Sequence, residues 1–296
     1  MNSLLYEYPV NTDTESALVV FSGGQDSTTC LVWAKERFKN VIALSVNYGQ
    51  KHSIELECAR KITDTLQVPH EIINVPNILQ GTSPLVNPGE RLEMYADAES
   101  LPGGLEKTFV PMRNQLFLTI AANRAYVKGI RNLVTGICQA DSGGYPDCRE
   151  DFKNSLQLTT NLGTFTGEPG TVDKLKIHTP LMHLSKAQSI ELAIDVGAYE
   201  ILQHTHTAYD GKYPPESHDH ANLLRAGGFE EADLPDPLVV RAWYGGLMEL
   251  PTTHNYMAIR GILASSSYDG DLQELLTRVA DEHVRNRNKG ACSEST

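Results

Sequence analysis

The chain reads as an α/β protein, a doubly wound, mostly parallel sheet followed by a helical C-terminal extension. Three observations predict this. Two short apolar, β-branched runs, Ala17–Phe21 (ALVVF) and Val41–Val46 (VIALSV), show no polar alternation, so both faces of each strand must be covered. Segments with apolar residues at helical spacing follow them, Thr28–Phe38 and Ile54–Leu66, and a third strand follows at Glu71–Val75. Between the first strand and its helix stands a glycine turn, Ser22-Gly23-Gly24-Gln25-Asp26-Ser27. Strand–helix–strand alternation of this length is what parallel βαβ units require.

The remaining elements continue the alternation. Gln80–Gly104 is rich in Pro, Gly and acidic residues without periodicity, a long connection of the kind that forms lids or binding segments. Leu116–Val127 reads as a helix, Asn132–Gly136 as a strand, Asp151–Asn161 as a helix, Gly163–Val172 as a Gly/Thr-rich loop and Lys186–Val196 as a helix. Pro235-Asp236-Pro237 marks a boundary, which divides the chain into a domain over 17–232 and a helical extension over 233–296. The final residues, from Asn286, are expected to fray.

The 296 residues, 41% hydrophobic and 21% charged, suffice for a sizeable core. A formal net charge of -12 argues against a nucleic-acid backbone as partner, because phosphate neutralisation needs a basic face. Five cysteines (Cys30, Cys58, Cys138, Cys148 and Cys292) are an odd number without tight spacing, which reads as reduced thiols. Met1–Glu15 has neither a basic start nor an apolar stretch of signal length, and no apolar run approaches the ~18 residues of a membrane span. A cytoplasmic protein with small-molecule chemistry is expected, without membrane contact.

The glycine turn is the most informative stretch. Gly23 and Gly24 let backbone N–H groups approach an anion, and the following helix aims its positive end at the same point. Ser22, Ser27 and Thr28 offer hydroxyls to phosphate oxygens, Gln25 stands between glycine and acid, and Asp26 can ligate magnesium accompanying ATP. No lysine follows the glycines, so this is not the G-x-x-x-x-G-K-[ST] loop. It resembles the PP-loop of ATP pyrophosphatases, whose HUP-like adenine-nucleotide fold cleaves ATP to AMP and pyrophosphate while adenylating a substrate.

Further stretches resemble one family, the QueC enzymes (7-cyano-7-deazaguanine synthases). Ser22–Leu31 (SGGQDSTTCL), Asn47–His52 (NYGQKH), Thr108–Asn114 (TFVPMRN), Gly144–Arg149 (GYPDCR) and Thr179-Pro180-Leu181 with Lys186 fall in the family's order. The resemblance implies a ligase. It adenylates 7-carboxy-7-deazaguanine, lets ammonia displace AMP to give the amide, and uses a second ATP to dehydrate it to the nitrile preQ0 for queuosine biosynthesis. It implies Asp26, Arg113 and Lys186 as catalytic residues, Ser22 to Thr28 around the ATP phosphates, and Tyr48, Gln50, Phe109, Pro111, Asn114, Tyr145 and Asp147 around the base. Arg113 and Lys186 suit phosphate or carboxylate. Asp147 suits a guanine N1–H and 2-amino edge, with Tyr145 or Phe109 stacking. Each has a plainer alternative: Arg113 paired with a structural carboxylate, Asp147 capping a turn at Pro146, Lys186 as a solvated helix-start lysine, His52 as packing, and Cys30 and Cys148 as small core residues.

The chain also departs from its relatives. The family carries four zinc-binding cysteines before an L-R-A-x-G-F frame. The frame stands at Leu224–Phe229, and the cysteine positions fall on Ala208, Glu216, Asp219 and Asn222, so a tetrathiolate zinc site is excluded. His204, His206, His218 and His220 lie in the same stretch, either as a nitrogen-ligand site or as packing and hydrogen-bonding residues, and the zinc-free alternative is the expectation. Gln139 stands where some relatives have an acid, Gly163–Val172 looks inserted, and some sixty residues with Trp243, Tyr244 and Met248 follow the family domain. A specialised paralog is therefore a second reading. QueC-like proteins accompany some anti-phage operons, including a class of CBASS systems, where the acceptor amine belongs to a partner protein, so this paralog either conjugates the base to such an amine or stops at the amide. A retired nucleotide-binding module is a third, and a homodimer is compatible with all three.

Overall fold

A computed structural model describes residues 15–50, 54–81, 83–87, 89–101, 104–139, 144–164, 174–265 and 268–293. Lys51 and His52 of the NYGQKH stretch, and nearly all of the Gly163–Val172 loop, lie outside them. Five strands, β1 (Ser16–Val20), β2 (Asn40–Asn47), β3 (His70–Asn74), β4 (Asn132–Val134) and β5 (Lys176–His178), form one sheet in the order β3-β2-β1-β4-β5. Every pairing is parallel, with Val19 opposite Ala43 on one side and Val134 on the other.

The reason lies in β1. Ala17 and Val19 face one core and Leu18 the other, and all three are fully buried. Helices α1 (Gln25–Arg37) and α2 (Ile54–Leu66) cover the first face, and α3 (Arg113–Val127) and α4 (Glu150–Thr164) cover the second. Right-handed crossovers place successive helices in this way when strand order reverses direction at β1. The expected doubly wound parallel sheet is present. One helix start differs from expectation: α1 begins at Gln25, three residues early. Gly24, in extended geometry, serves as its N-cap, so Gln25, Asp26 and Ser27 form the first turn.

The rest of the chain is helical and packs on the first face. It comprises α5 (Lys186–Asp195), α6 (His220–Glu231), α7 (Pro237–Tyr244), α8 (Met257–Ala264) and α9 (Leu272–Ser293). Leu234, Val240, Ile259, Leu275 and Val279 join Leu31, Trp33 and Ile190 in one core, so the expected helical extension is built onto the sheet domain. The C-terminal helix runs on to Ser293 where fraying was expected from Asn286. Among the described residues no helix is long and apolar enough to cross a membrane.

Candidate active site

Where the chain leaves β1 toward α1 and β4 toward the next segment, the two connections diverge to opposite faces. The crevice at such a switch point, outside the strands' carboxyl ends, is where open α/β sheets bind ligands. A cavity of about 380 Å³ lies there. Ser22, Asp26 and Ser27 line it from the glycine turn, Tyr48 and Gln50 from the end of β2, and Arg113 and Asn114 from the start of α3. Thr135 to Cys138 after β4, Tyr145, Cys148, Lys186 and the segment His206–Tyr209 complete the wall.

The turn is preorganised by its own side chains. Ser27 Oγ accepts the Ser22 N–H at 3.2 Å, donates to the Gly24 carbonyl at 3.1 Å and lies 3.0 Å from Ser22 Oγ. Gly23 has φ +83, and a Cβ there would stand 2.5 Å from the Glu55 carbonyl oxygen and 2.8 Å from the Ala59 nitrogen. Glycine is therefore required by conformation and by the close passage of α2. Thr28 is fully buried and donates to the Gly24 carbonyl at 2.8 Å, and Gln25 is 4% exposed with neither amide atom hydrogen-bonded. Neither lines the cavity.

Asp26 and Lys186, 160 residues apart, meet above the turn. Lys186 Nζ donates to both carboxylate oxygens, at 2.8 and 2.9 Å. A capping box, Ser185 with Gln188, starts α5 at Lys186. The lysine stem has room because α6 carries Gly228 beside it: a Cβ there would lie 2.4 Å from Lys186 Cγ and 2.9 Å from its Cβ. Gly136, after β4, gives the same clearance on the other side, since its Cβ would come within 3.1 Å of the Asp26 backbone.

Arg113 stands at another wall. Met112, the N-cap of α3, has φ 66, a left-handed conformation costing a non-glycine residue about 1–2 kcal/mol, and it turns the chain so that Arg113 opens the helix. Arg113 shares this wall with Tyr48, Tyr145 and Tyr209, whose phenols act on it electrostatically, and with Glu55. No ion pair among the described residues includes Arg113, and Glu55 is the neighbouring carboxylate on which it acts. Burial pushes the Glu55 carboxyl above its usual range, against the pull of Arg113.

Of the expected base-binding residues, Tyr48, Gln50, Asn114 and Tyr145 line the cavity; Phe109, Pro111 and Asp147 do not. Phe109 packs behind Tyr145, with ring centroids 5.2 Å apart, and Tyr145 Oη meets Thr108 Oγ1 at 2.6 Å. Asp147 accepts the Asn114 backbone N–H at 3.3 Å and so caps α3. Burial raises its carboxyl pKa, partly offset by that bond. Burial, then the neighbouring Asp147, pushes the Cys148 thiol up to about 12, and Cys30 is raised by burial as well, so neither is a thiolate nucleophile at neutral pH.

Three of the four histidines have separate partners. His206 Nε2 bonds with the Ala208 carbonyl oxygen at 2.6 Å, His218 Nδ1 lies 3.3 Å from the Tyr95 oxygen, and His220 Nε2 lies 3.6 Å from Glu106 Oε1. Burial, with Arg241 and Lys61 nearby, lowers the His204 pKa to about 4. The residues at the zinc positions do not fit that metal. Ala208 has no side-chain donor atom and Glu216 is exposed. Asn222 turns its amide N–H groups to the Pro215 and Ser217 carbonyls, and both Asp219 oxygens are occupied by protein donors.

Tyr209, Glu55 and Phe117 were not singled out from the sequence, and Gly228 stood there only as part of the Leu224–Phe229 frame. The doubled glycine beside Arg225 was the one signal available, since a glycine pair inside a helix has a packing reason.

Comparison with known proteins places the chain among relatives. The chain is 47% identical over 230 residues to the 7-cyano-7-deazaguanine synthase of Laribacter hongkongensis (strain HLHK9), covering 77% of this chain and 96% of that one. It is 46% identical over 236 residues to the 7-cyano-7-deazaguanine synthase of Chromobacterium violaceum, covering 77% and 94%. Among solved structures, an NH3-dependent NAD synthetase from Campylobacter jejuni aligns over 93% of this chain and 87% of its own at 14% identity, TM-score 0.38. The family model for the queuosine biosynthesis protein QueC matches residues 16–233, and with relatives this similar over most of their length, the chain belongs to the QueC family.

Proposed function

We propose that this chain is an ATP-dependent carbon–nitrogen ligase that adenylates 7-carboxy-7-deazaguanine and admits ammonia to displace AMP, giving the amide and, with a second ATP, 7-cyano-7-deazaguanine. The observation that carries this reading is that one cavity holds both charges the reaction needs. Lys186 and Asp26 stand over the glycine turn, and Arg113, a cation without an ion pair among the described residues, stands at another wall. A carboxylate is a poor electrophile until its oxygen becomes a leaving group. Holding it in line with the α-phosphate supplies much of the catalysis. Arg113 suits the substrate carboxylate as a planar fork, and the tyrosines around it supply aromatic faces for the base.

Lys186 and the turn's N–H groups receive the departing pyrophosphate. Asp26 would hold magnesium, since each carboxylate oxygen keeps a lone pair beyond its bond to Lys186. Magnesium, when bound, neutralises the phosphates. Pyrophosphate release from ATP on addition of the carboxy-base tests the proposal, and a chain inert in that assay would be the retired binding module.

A second reading gives the acceptor amine to a partner protein, as in the anti-phage setting. The extension favours it with three large apolar side chains left exposed, Tyr244, Leu247 and Met257. Efficient release of free nitrile from ATP, carboxy-base and ammonia would decide for the first reading.

A further inference from the structure

The segment between the 3-10 turn Glu200–His204 and α6 crosses the cavity. Its first part is tied to the glycine turn, where the His206 N–H donates to the Gly23 carbonyl at 3.1 Å. Three residues on, Tyr209 lines the cavity beside Tyr145 and Arg113. The Tyr209 backbone is held by Asp219, which is 1% exposed: Oδ2 accepts the Tyr209 N–H at 2.9 Å and the Ser217 hydroxyl at 2.6 Å. Oδ1 accepts the Asn222 N–H at 3.0 Å and caps α6. Three protein donors thus satisfy a buried carboxylate that forms no ion pair among the described residues. Hydrogen bonds to an ionised acceptor are among the strong ones.

We propose that Asp219 is a positioning residue: its hydrogen bonds close the 208–222 loop in place of a metal and hold Tyr209 in the cavity against Arg113 and Tyr145. Asp219 occupies one of the positions where a metal-binding relative would carry a thiolate, and its donors converge from both ends of the loop. The assignment of Tyr209 to the wall that receives the carboxy-base rests on the proposed function; the closure of the loop does not.

The full-length chain tests both parts. The purified protein should contain substoichiometric zinc and unfold at the same temperature with or without 1,10-phenanthroline. Asp219→Ala should speed amide hydrogen exchange across 206–210 while leaving 22–27 unchanged. It should raise KM for the carboxy-base roughly tenfold, the loss of about one well-placed bond, and leave KM for ATP within about twofold. Tyr209→Ala should do the same to KM, and the double variant should add nothing further. Asp219→Asn, which keeps the acceptor facing Asn222, should fall between wild type and Asp219→Ala and covers the case in which the alanine variant does not fold. One zinc per chain, or unfolding brought on by the chelator, would overturn the metal-free closure. Unchanged exchange over 206–210, or equal changes in both KM values, would overturn the positioning role. If wild type releases no pyrophosphate with the carboxy-base, the functional reading fails, and exchange and metal content still decide the closure.

Discussion

The glycine turn over 22–27 and the segment over 205–222 face each other across one cavity and are built in opposite ways. The turn's shape is set locally, by hydrogen bonds between residues two to five apart among Ser22, Gly24, Ser27 and Thr28, while Gly23 and Asp26 bond outward to His206 and Lys186. The facing segment is held from a distance. Arg225, fully buried in α6, donates to the Thr205 and Thr207 hydroxyls at 2.8 and 2.9 Å and to both oxygens of Asp236 at 2.6 and 2.7 Å. Asp236 is also the N-cap of α7, so the start of the helical extension is bonded through Arg225 to residues flanking His206, and through His206 to Gly23. One wall of the cavity is a motif and the other is a consequence of tertiary structure. The same cavity can therefore be altered by a change inside the turn or by one far along the chain.

The contrast sets the order of expected effects. Asp236→Ala leaves the Arg225 guanidinium buried without its partner, which typically costs about 3–5 kcal/mol. Urea unfolding should show a loss of that size, and a loss below about 1 kcal/mol would mean that the extension does not hold the segment. Gly228→Ala pushes a methyl into the Lys186 stem and should lower pyrophosphate release by roughly 10²-fold, as small misplacements of a catalytic group do. Its unfolding midpoint should change far less than that of Asp236→Ala. Gly23→Ala combines a positive φ with a backbone clash and should cost about 1–3 kcal/mol in unfolding together with a weaker ATP affinity by calorimetry. An effect confined to stability would separate the turn's shape from nucleotide binding.

Acid should produce the smallest and most selective difference. His204 and His206 are both held below their usual pKa, burial being the main cause, and the turn contains no histidine. A folded-state pKa below the ordinary value of about 6.5 means that the opened segment binds protons more readily. Its stability is complete above about pH 6.5 and falls as the pH drops toward about 4. Amide exchange over 204–210 should accelerate in that window before exchange over 22–27. Simultaneous opening would show that the two walls form one cooperative unit.

Much of this was legible in the residues themselves. A β-branched run with both faces apolar can only be a covered strand, and two glycines between such a run and a helix form an anion-ready turn whatever surrounds them. Asp26 could be read because it stands in that local frame, and Arg113 and Tyr145 because they stand in stretches the family shares. Asp147 and Phe109 stand in the same stretches, yet the structure sets Asp147 under α3 as a cap and Phe109 behind Tyr145. A motif records which residues travel together and not which of them face the ligand.

The amino-acid sequence alone determined the α/β class, the parallel strands and the glycine turn, because these follow from short-range periodicity and backbone sterics, and it carried the family in the stretches it shares with its relatives. Only the tertiary structure decided the rest. It brought Lys186 160 residues back to Asp26, left Arg113 without an ion pair among the described residues and put Gly228 where a lysine stem needed space. It also gave Asp219 three donors. Each of these depends on burial, and burial belongs to the packed chain: a carboxylate or an arginine is an ordinary surface charge until other elements remove its water, and no local pattern says which elements those will be.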